Sequence, residues 1–185
     1  MEIFHAGFLE ELHRRGVKPG ETIMCGWLWF RAVEGAEEIE LETLDFKAMA
    51  SFTRDLSAAQ VIHTVQQERL KSYGATEEPC NMMQTAFVSK SIIPGSDSIF
   101  LNRQEAASES DSGWYVGMVD ESRDLEDPET FEHRSLYELT ISDDRLASWW
   151  LLPVGTHVFF DRAEPYAERV EQAGGHQPPT RAEST

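Results

Sequence analysis

Cations are scarce in this chain. Sixteen Lys and Arg stand against 33 Asp and Glu in 185 residues, a formal charge of −17. That balance disfavours the polyanionic partners, nucleic acid and anionic membrane, and favours a basic partner or plain solubility. Cysteine is nearly absent: Cys25 and Cys80 are the only two, too few and too isolated for a disulfide framework. No apolar run approaches the roughly 18 residues of a membrane span. No basic head, apolar run and small-residue cleavage site mark the N-terminus as a secretory signal, so a cytoplasmic protein is expected. There is no Gly-rich phosphate loop, no dinucleotide fingerprint and no Cys pair at metal-ligand spacing. The six His (His5, His13, His63, His133, His157, His176) do not pair at ligand spacing with each other or with Cys. These absences argue against the common cofactor-dependent enzymes; no metal, cofactor or catalytic activity is expected.

What is present suits a packed core. The apolar fraction is 41%, with five Trp and ten Phe, and each large ring contributes several kcal/mol, to order of magnitude, when buried. The length fits one domain, or two small ones sharing an interface. Phe4, Phe8, Leu9 and Leu12 fall on one helical face, with Gly16 as a stop. Thr22 to Val33, rich in β-branched and aromatic residues, reads as a strand. Glu38 to Glu42 alternates strictly and reads as its hairpin partner, with one wet face. Trp27, Trp29 and Phe30 lie close enough together to face both sides of that first strand. Ser57 and Gln60 suggest a capping box opening a helix whose buried face is Ala58, Val61, Ile62 and Val65, and Gly74 ends it.

Glu77-Glu78-Pro79 reads as a join. The expected organisation is an N-terminal α+β unit over 1–80, a second unit over 81–162 and a disordered tail over 163–185, Pro- and Gly-rich from Gly174 on. In the second unit, Thr85–Lys90 and Ser98–Leu101 are short strands joined through Pro94-Gly95. Gln104–Asp111 is a solvated loop and Gly113–Val119 the central strand. Leu136–Ile141 is a short strand or a turn of helix. Ser142 caps a short helix that turns Leu146, Trp149 and Trp150 inward. Thr156–Phe160 is the last strand. The fold class is therefore α+β, an antiparallel or mixed sheet flanked by a few helices.

Few residues invite chemistry. Ser112, beside Asp111, lacks a Gly-x-Ser-x-Gly elbow, so a turn in which Asp and Ser bond the local backbone is favoured over a nucleophile. Asp120, Glu121, Asp124, Glu126, Asp127 and Glu129 form the densest acidic run, balanced only by Arg123. Their spacing does not match a calcium loop and Pro128 interrupts it. Two readings stay open for them: a solvated loop, or a surface that meets a basic patch on a partner.

One ordered set of motifs goes further. Val88-Ser89-Lys90, Asp111-Ser112-Gly113-Trp114, Asp120-Glu121 and Pro153-Val154-Gly155-Thr156 occur in that order between Thr85 and Arg162. This resembles the Imm33 (DUF2185) family of bacterial immunity proteins, small domains of toxin–antidote loci. The chain departs from the family pattern in one place: Met118-Val119 stands before Asp120-Glu121, where a Gly-Asp-Glu follows the Trp strand. The resemblance implies a non-catalytic protein that binds and neutralises a cognate bacterial toxin, its partner bearing a basic surface that meets the acidic run. The alternatives are a regulatory or ligand-binding module outside any toxin system, and a hydrolase using Ser112 or a carboxylate pair.

Overall fold

The computed structural model describes residues 12, 14–36, 38–119, 128–160 and 166–169. Two sheets and a few helices make an α+β fold, as expected. The first sheet is antiparallel, in the order β1 (Thr22–Cys25), β2 (Leu28–Glu34), β3 (Ile39–Leu44), β4 (Phe52–Thr53). Helix α1 (Ser57–Tyr73) follows it in the chain. The second sheet has six strands: β5 (Thr85–Ser89), β6 (Ile99–Arg103), β7 (Asp111–Met118), β8 (Phe131–Ser135), β9 (His157–Phe159) and β10 (Tyr166–Arg169), in the spatial order β10-β9-β6-β7-β5-β8. It is mixed, because β5 runs parallel to β7 and every other pair is antiparallel. Helix α2 (Leu136–Ser142) and a 3-10 helix (Asp144–Trp149) lie between β8 and β9 in the chain. No described helix is long and apolar enough to cross a membrane.

Several elements depart from the sequence reading. Thr22–Val33 is a hairpin rather than one strand: Cys25 pairs with Leu28 across a two-residue turn. Gly26 makes that turn possible, its φ of 55° being one that side-chain-bearing residues resist. Trp27 in the turn is fully buried and stacks on Phe46 at 5.8 Å. The β2–β3 hairpin forms as expected, pairing Ala32 with Leu41. On its wet face Arg31 donates to Glu42 at 2.6 Å, and that bond leads the effects holding the Glu42 carboxyl below its usual range.

Helix α1 starts at Ser57, but Ser57 is its first residue and not its cap. Leu56 occupies the cap position, and the Asp55 carboxylate accepts from the Ser57 N–H at 3.0 Å. The buried stripe is also rotated. Ala59, Gln66 and Leu70 face inward, while Val61 is 61% exposed and Val65 is exposed. Gln66 disguised this stripe: a polar residue was needed there because its Nε2 donates to the Ala147 carbonyl at 2.8 Å, tying α1 to the 3-10 helix. Gly74 ends α1 as expected.

Leu136–Ile141 resolves into α2. Its cap is Ser135, in a reciprocal box with Glu138. Ser142 belongs to the last turn of α2 and does not cap the next helix; Asp143 does, accepting from the Arg145 N–H. Leu146, Trp149 and Trp150 are buried as expected. The strand at 157–159 is not the last one, because Tyr166–Arg169 pairs with it as β10. The expected helix over Phe4, Phe8 and Leu9 lies outside the described residues, and Leu12 itself is buried. Of the tail expected to be disordered over 163–185, only 166–169 is described, and there β10 forms by pairing with β9.

A single contiguous core joins the two sheets. It runs from Leu12, Trp27 and Phe30 through Met82, Trp114 and Val116 to Trp149, Trp150 and Phe160. Tyr137 on α2 donates its hydroxyl to the Asp45 carbonyl at 2.7 Å, and the Met82 N–H donates to the Trp27 carbonyl at 3.0 Å. A boundary near residue 80 is therefore a proposal about how the chain divides, across which packing is continuous.

Candidate functional site

The Asp111–Trp114 motif opens β7 with a bulge. Thr85 pairs with Asp111 and Phe87 with Tyr115, so two steps along β5 span four along β7. Side chains hold the extra residues. Asp111 accepts the Gly113 N–H at 2.9 Å on one oxygen and the Ala107 N–H at 2.8 Å on the other. The Ser112 hydroxyl donates to the Thr85 carbonyl at 2.8 Å and accepts the Trp114 N–H at 3.2 Å. Ser112 is 2% exposed, so its oxygen is committed to backbone and cannot meet a substrate. Gly113 has φ 74°, and a Cβ there would overlap the Gln104 carbonyl oxygen. Asp111 and Ser112 bond the local backbone as expected, but they do so within a bulged strand and not in a turn ahead of it, so β7 begins two residues earlier than the sequence suggested.

Trp114 projects from this bulge into a buried hub at the Trp150 carbonyl. Three donors converge on that oxygen: Cys80 Sγ at 3.0 Å, Arg103 Nη1 at 3.0 Å and Trp114 Nε1 at 3.1 Å. Arg103, 4% exposed, also donates to the carbonyls of Glu78 and Leu152. Its charge is balanced by carbonyl dipoles, the compensation a buried cation requires when no carboxylate is at hand. Burial pushes the Cys80 thiol up to about 12, so it stays protonated and unreactive at neutral pH. The hub clamps the 78–80 and 150–152 segments to the sheet. The sequence reading missed Arg103, although it shares inward parity with Ile99 and Leu101 on β6.

The opposite face of the six-stranded sheet carries an aromatic ladder. Phe159 on β9 meets Phe100 on β6 at 5.0 Å, and Phe100 meets Tyr115 on β7 at 6.3 Å. Tyr115 meets Phe87 on β5 at 6.4 Å, and Phe87 stacks on Phe131 of β8 at 4.6 Å. His133 and His157 flank the ladder against Phe87 and Phe100. At the usual spacing of nearly 5 Å between strands, these five strands span about 19 Å. The rings form a cluster separate from the main core, and Phe87 is 38% exposed. Beside them lies a hollow of about 480 Å³. Its lining includes the rings of Phe87, Phe100 and Tyr115 and the polar residues Asn102, Gln104, Glu105 and Asp111.

A second, open groove of about 740 Å³ runs between α1 and the 3-10 helix, past Val61 and Ile62. Its rim is held by Asp143, which accepts from Arg145 Nη2 at 2.7 Å and from the Gly95 N–H at 2.9 Å. Burial raises the Asp143 carboxyl, but the Arg145 and Gly95 donors outweigh it and leave the group below its usual range. Arg145 also donates to the Ser96 carbonyl, so this ion pair fixes the 94–97 loop.

Of the expected partner-binding acids, the structure places only Glu129, exposed in the 3-10 turn Pro128–Thr130 that leads into β8. Asp120, Glu121, Asp124, Glu126 and Asp127 lie outside the described residues. The two ends of their segment are fixed: the Val119 N–H donates to the Ser98 carbonyl, and Lys90 Nζ donates to the Glu129 carbonyl at 2.8 Å. The acidic connection therefore leaves and re-enters the second sheet where β5 and β7 end. Among the described residues no group of His, Cys, Asp and Glu could hold a metal ion. His63 is half-buried on α1, and burial lowers its pKa against the opposing pull of Glu77. His5, His13 and His176 lie outside the described residues.

No curated protein and no solved structure matches the chain. A family model does: the Imm33-like domain matches residues 65–171. That stretch begins within α1 and takes in the bulge, the carbonyl hub and the whole aromatic sheet. It is more than half of the 185 residues, and the chain belongs to the Imm33-like family.

Proposed function

We propose that this protein acts in the cytoplasm as an immunity protein, binding a cognate bacterial toxin and neutralising it without catalysis. Membership of the Imm33-like family carries the proposal. The chemistry of the described side chains agrees with it: Ser112 is consumed by backbone contacts and Cys80 is held as a thiol, whereas the outer sheet face carries an aromatic row in which Phe87 is exposed and Phe100, Tyr115 and Phe159 are half-buried. A binder needs complementary surface, with desolvated anchors setting dissociation and rim charges steering encounter.

The steering role falls to Asp120, Glu121, Asp124, Glu126, Asp127 and Glu129, and the partner it selects is a toxin with a basic surface. Co-expression with the adjacent gene product tests the proposal: a stoichiometric complex should co-purify, and its association should slow as salt shortens the Debye length from about 10 Å at 0.1 M to about 3 Å at 1 M. Failure to form any complex with a toxin encoded beside the gene would remove the immunity reading. An on-rate indifferent to salt would return the acidic run to a solvated loop.

A further inference from the structure

We infer that the hollow on the outer sheet face receives a guanidinium side chain of the partner, stacked on the aromatic ladder and flanked by Glu105 and Asp111. This deepens the toxin-binding reading and rests on it for the identity of the partner. The chemistry of the hollow stands on its own.

An antiparallel or mixed sheet that leaves one face to water alternates apolar and polar residues, with the polar ones outward. Here the outward positions of β9, β6, β7, β5 and β8 hold Phe159, Phe100, Tyr115, Phe87 and Phe131. These rings contact one another and stand apart from the main core; Phe131 is buried under its neighbours, Phe100, Tyr115 and Phe159 are half-buried, and Phe87 is exposed. Such a row contributes little to packing the two sheets together. It has the composition of an interface centre, where aromatic anchors are enriched.

The occupant follows from charge. Two carboxylates, Glu105 and Asp111, and two carboxamides, Asn102 and Gln104, line the hollow, and no Lys or Arg does so among its described lining residues. Each oxygen of Asp111 accepts a backbone N–H, from Ala107 or Gly113, so the carboxylate's position in the lining is set before any partner arrives. Ring faces and carboxylates together favour a cation, and the net charge of −17 favours it further. A planar guanidinium stacks on a ring while its edge donates to oxygen acceptors, whereas a compact, strongly hydrated ammonium does so less well.

Titration of the labelled protein with N-acetyl-arginine amide, followed by amide NMR, tests the assignment directly. N-acetyl-lysine amide and N-acetyl-leucine amide serve as comparisons. The expected result is saturable shifts at Asn102, Gln104, Glu105 and Tyr115 with the arginine compound. They should be at least threefold smaller with the lysine compound and absent with the leucine compound. In Glu105→Arg, a charge reversal at an exposed position, the arginine shifts should disappear while the melting temperature is kept. Phe87→Leu, which keeps apolar volume and loses the ring face, should weaken them severalfold. Equal shifts with the leucine compound would make the hollow an apolar docking site, and shifts absent or confined to other residues would overturn the assignment.

Growth protection by the same variants separates the two levels. If wild type protects against the neighbouring toxin and Glu105→Arg protects as well, the cradle is wrong and the immunity reading stands. If wild type gives no protection, the immunity reading falls and the arginine titration alone decides the cradle.

Discussion

Truncating Trp114 should cost the fold far more than it costs recognition. The indole is 1% exposed and packs edge-on against Trp150 at a centroid distance of 5.6 Å. Truncating a buried Trp or Phe to Ala costs about 3–5 kcal/mol, transfer and cavity together. The lost indole hydrogen bond adds little, because Cys80 and Arg103 still donate to the Trp150 carbonyl and leave no orphaned acceptor. The Arg103 guanidinium, 5.6 Å from the ring centroid, sits near the outer limit of a cation–π contact and contributes weakly. About 4 kcal/mol in total, at roughly 2–4 °C per kcal/mol for a chain of this size, lowers the melting temperature by about 8–16 °C. Trp114→Phe, which keeps a ring and loses the N–H, should fall well short of that. Circular dichroism melting of the three proteins is the assay. An Ala variant melting within about 2 °C of wild type yet unable to bind its partner would refute the reasoning and make Trp114 an interface anchor.

Three further outcomes follow from the same geometry. Gly113→Ala must enter left-handed backbone space at about 1–2 kcal/mol and also displace the Gln104 carbonyl, so it should destabilise by about 3 kcal/mol or more in urea unfolding; a variant within about 0.5 kcal/mol of wild type would mean that the bulge relaxes freely. Cys80, held as a thiol with its pKa up at about 12, should resist iodoacetamide at pH 8 in the native state and react only on unfolding; fast native labelling located at Cys80 would contradict its burial. The Asp143 carboxyl is depressed on folding, so it adds stability above the unfolded value of about 3.9 that is lost as pH falls through its lower folded value. Asp143→Asn should lower stability at pH 7 by about 2 kcal/mol and flatten that acid dependence. An unchanged acid limb would show that Arg145 does not hold the group.

The sequence exposed those parts of the fold in which local pattern and tertiary need agree. The β2–β3 alternation, the Gly74 stop, the backbone-bonding role of Asp111 and Ser112 and the inward Trp149-Trp150 pair were readable because each residue type has one favoured use at its position. It concealed the parts in which a polar residue does core work. Gln66 hid the buried stripe of α1, and Arg103 hid the carbonyl hub, because satisfying a buried donor depends on carbonyls supplied from distant chain segments. The hairpin turn at Gly26 was masked by its β-prone neighbours on both sides. The aromatic ladder was invisible for another reason: Phe87, Phe100, Tyr115, Phe131 and Phe159 become neighbours only through a strand order that sequence spacing does not encode.

The central claim, that this member of the Imm33-like family neutralises a toxin by binding it, is tested most directly by growth. Cells carrying the toxin gene found beside this one are induced with and without the intact, folded protein. The account predicts that growth is restored in proportion to the amount of protein made, up to one equivalent of toxin. Unrestored growth at a clear molar excess, against each toxin encoded beside the gene, would contradict it.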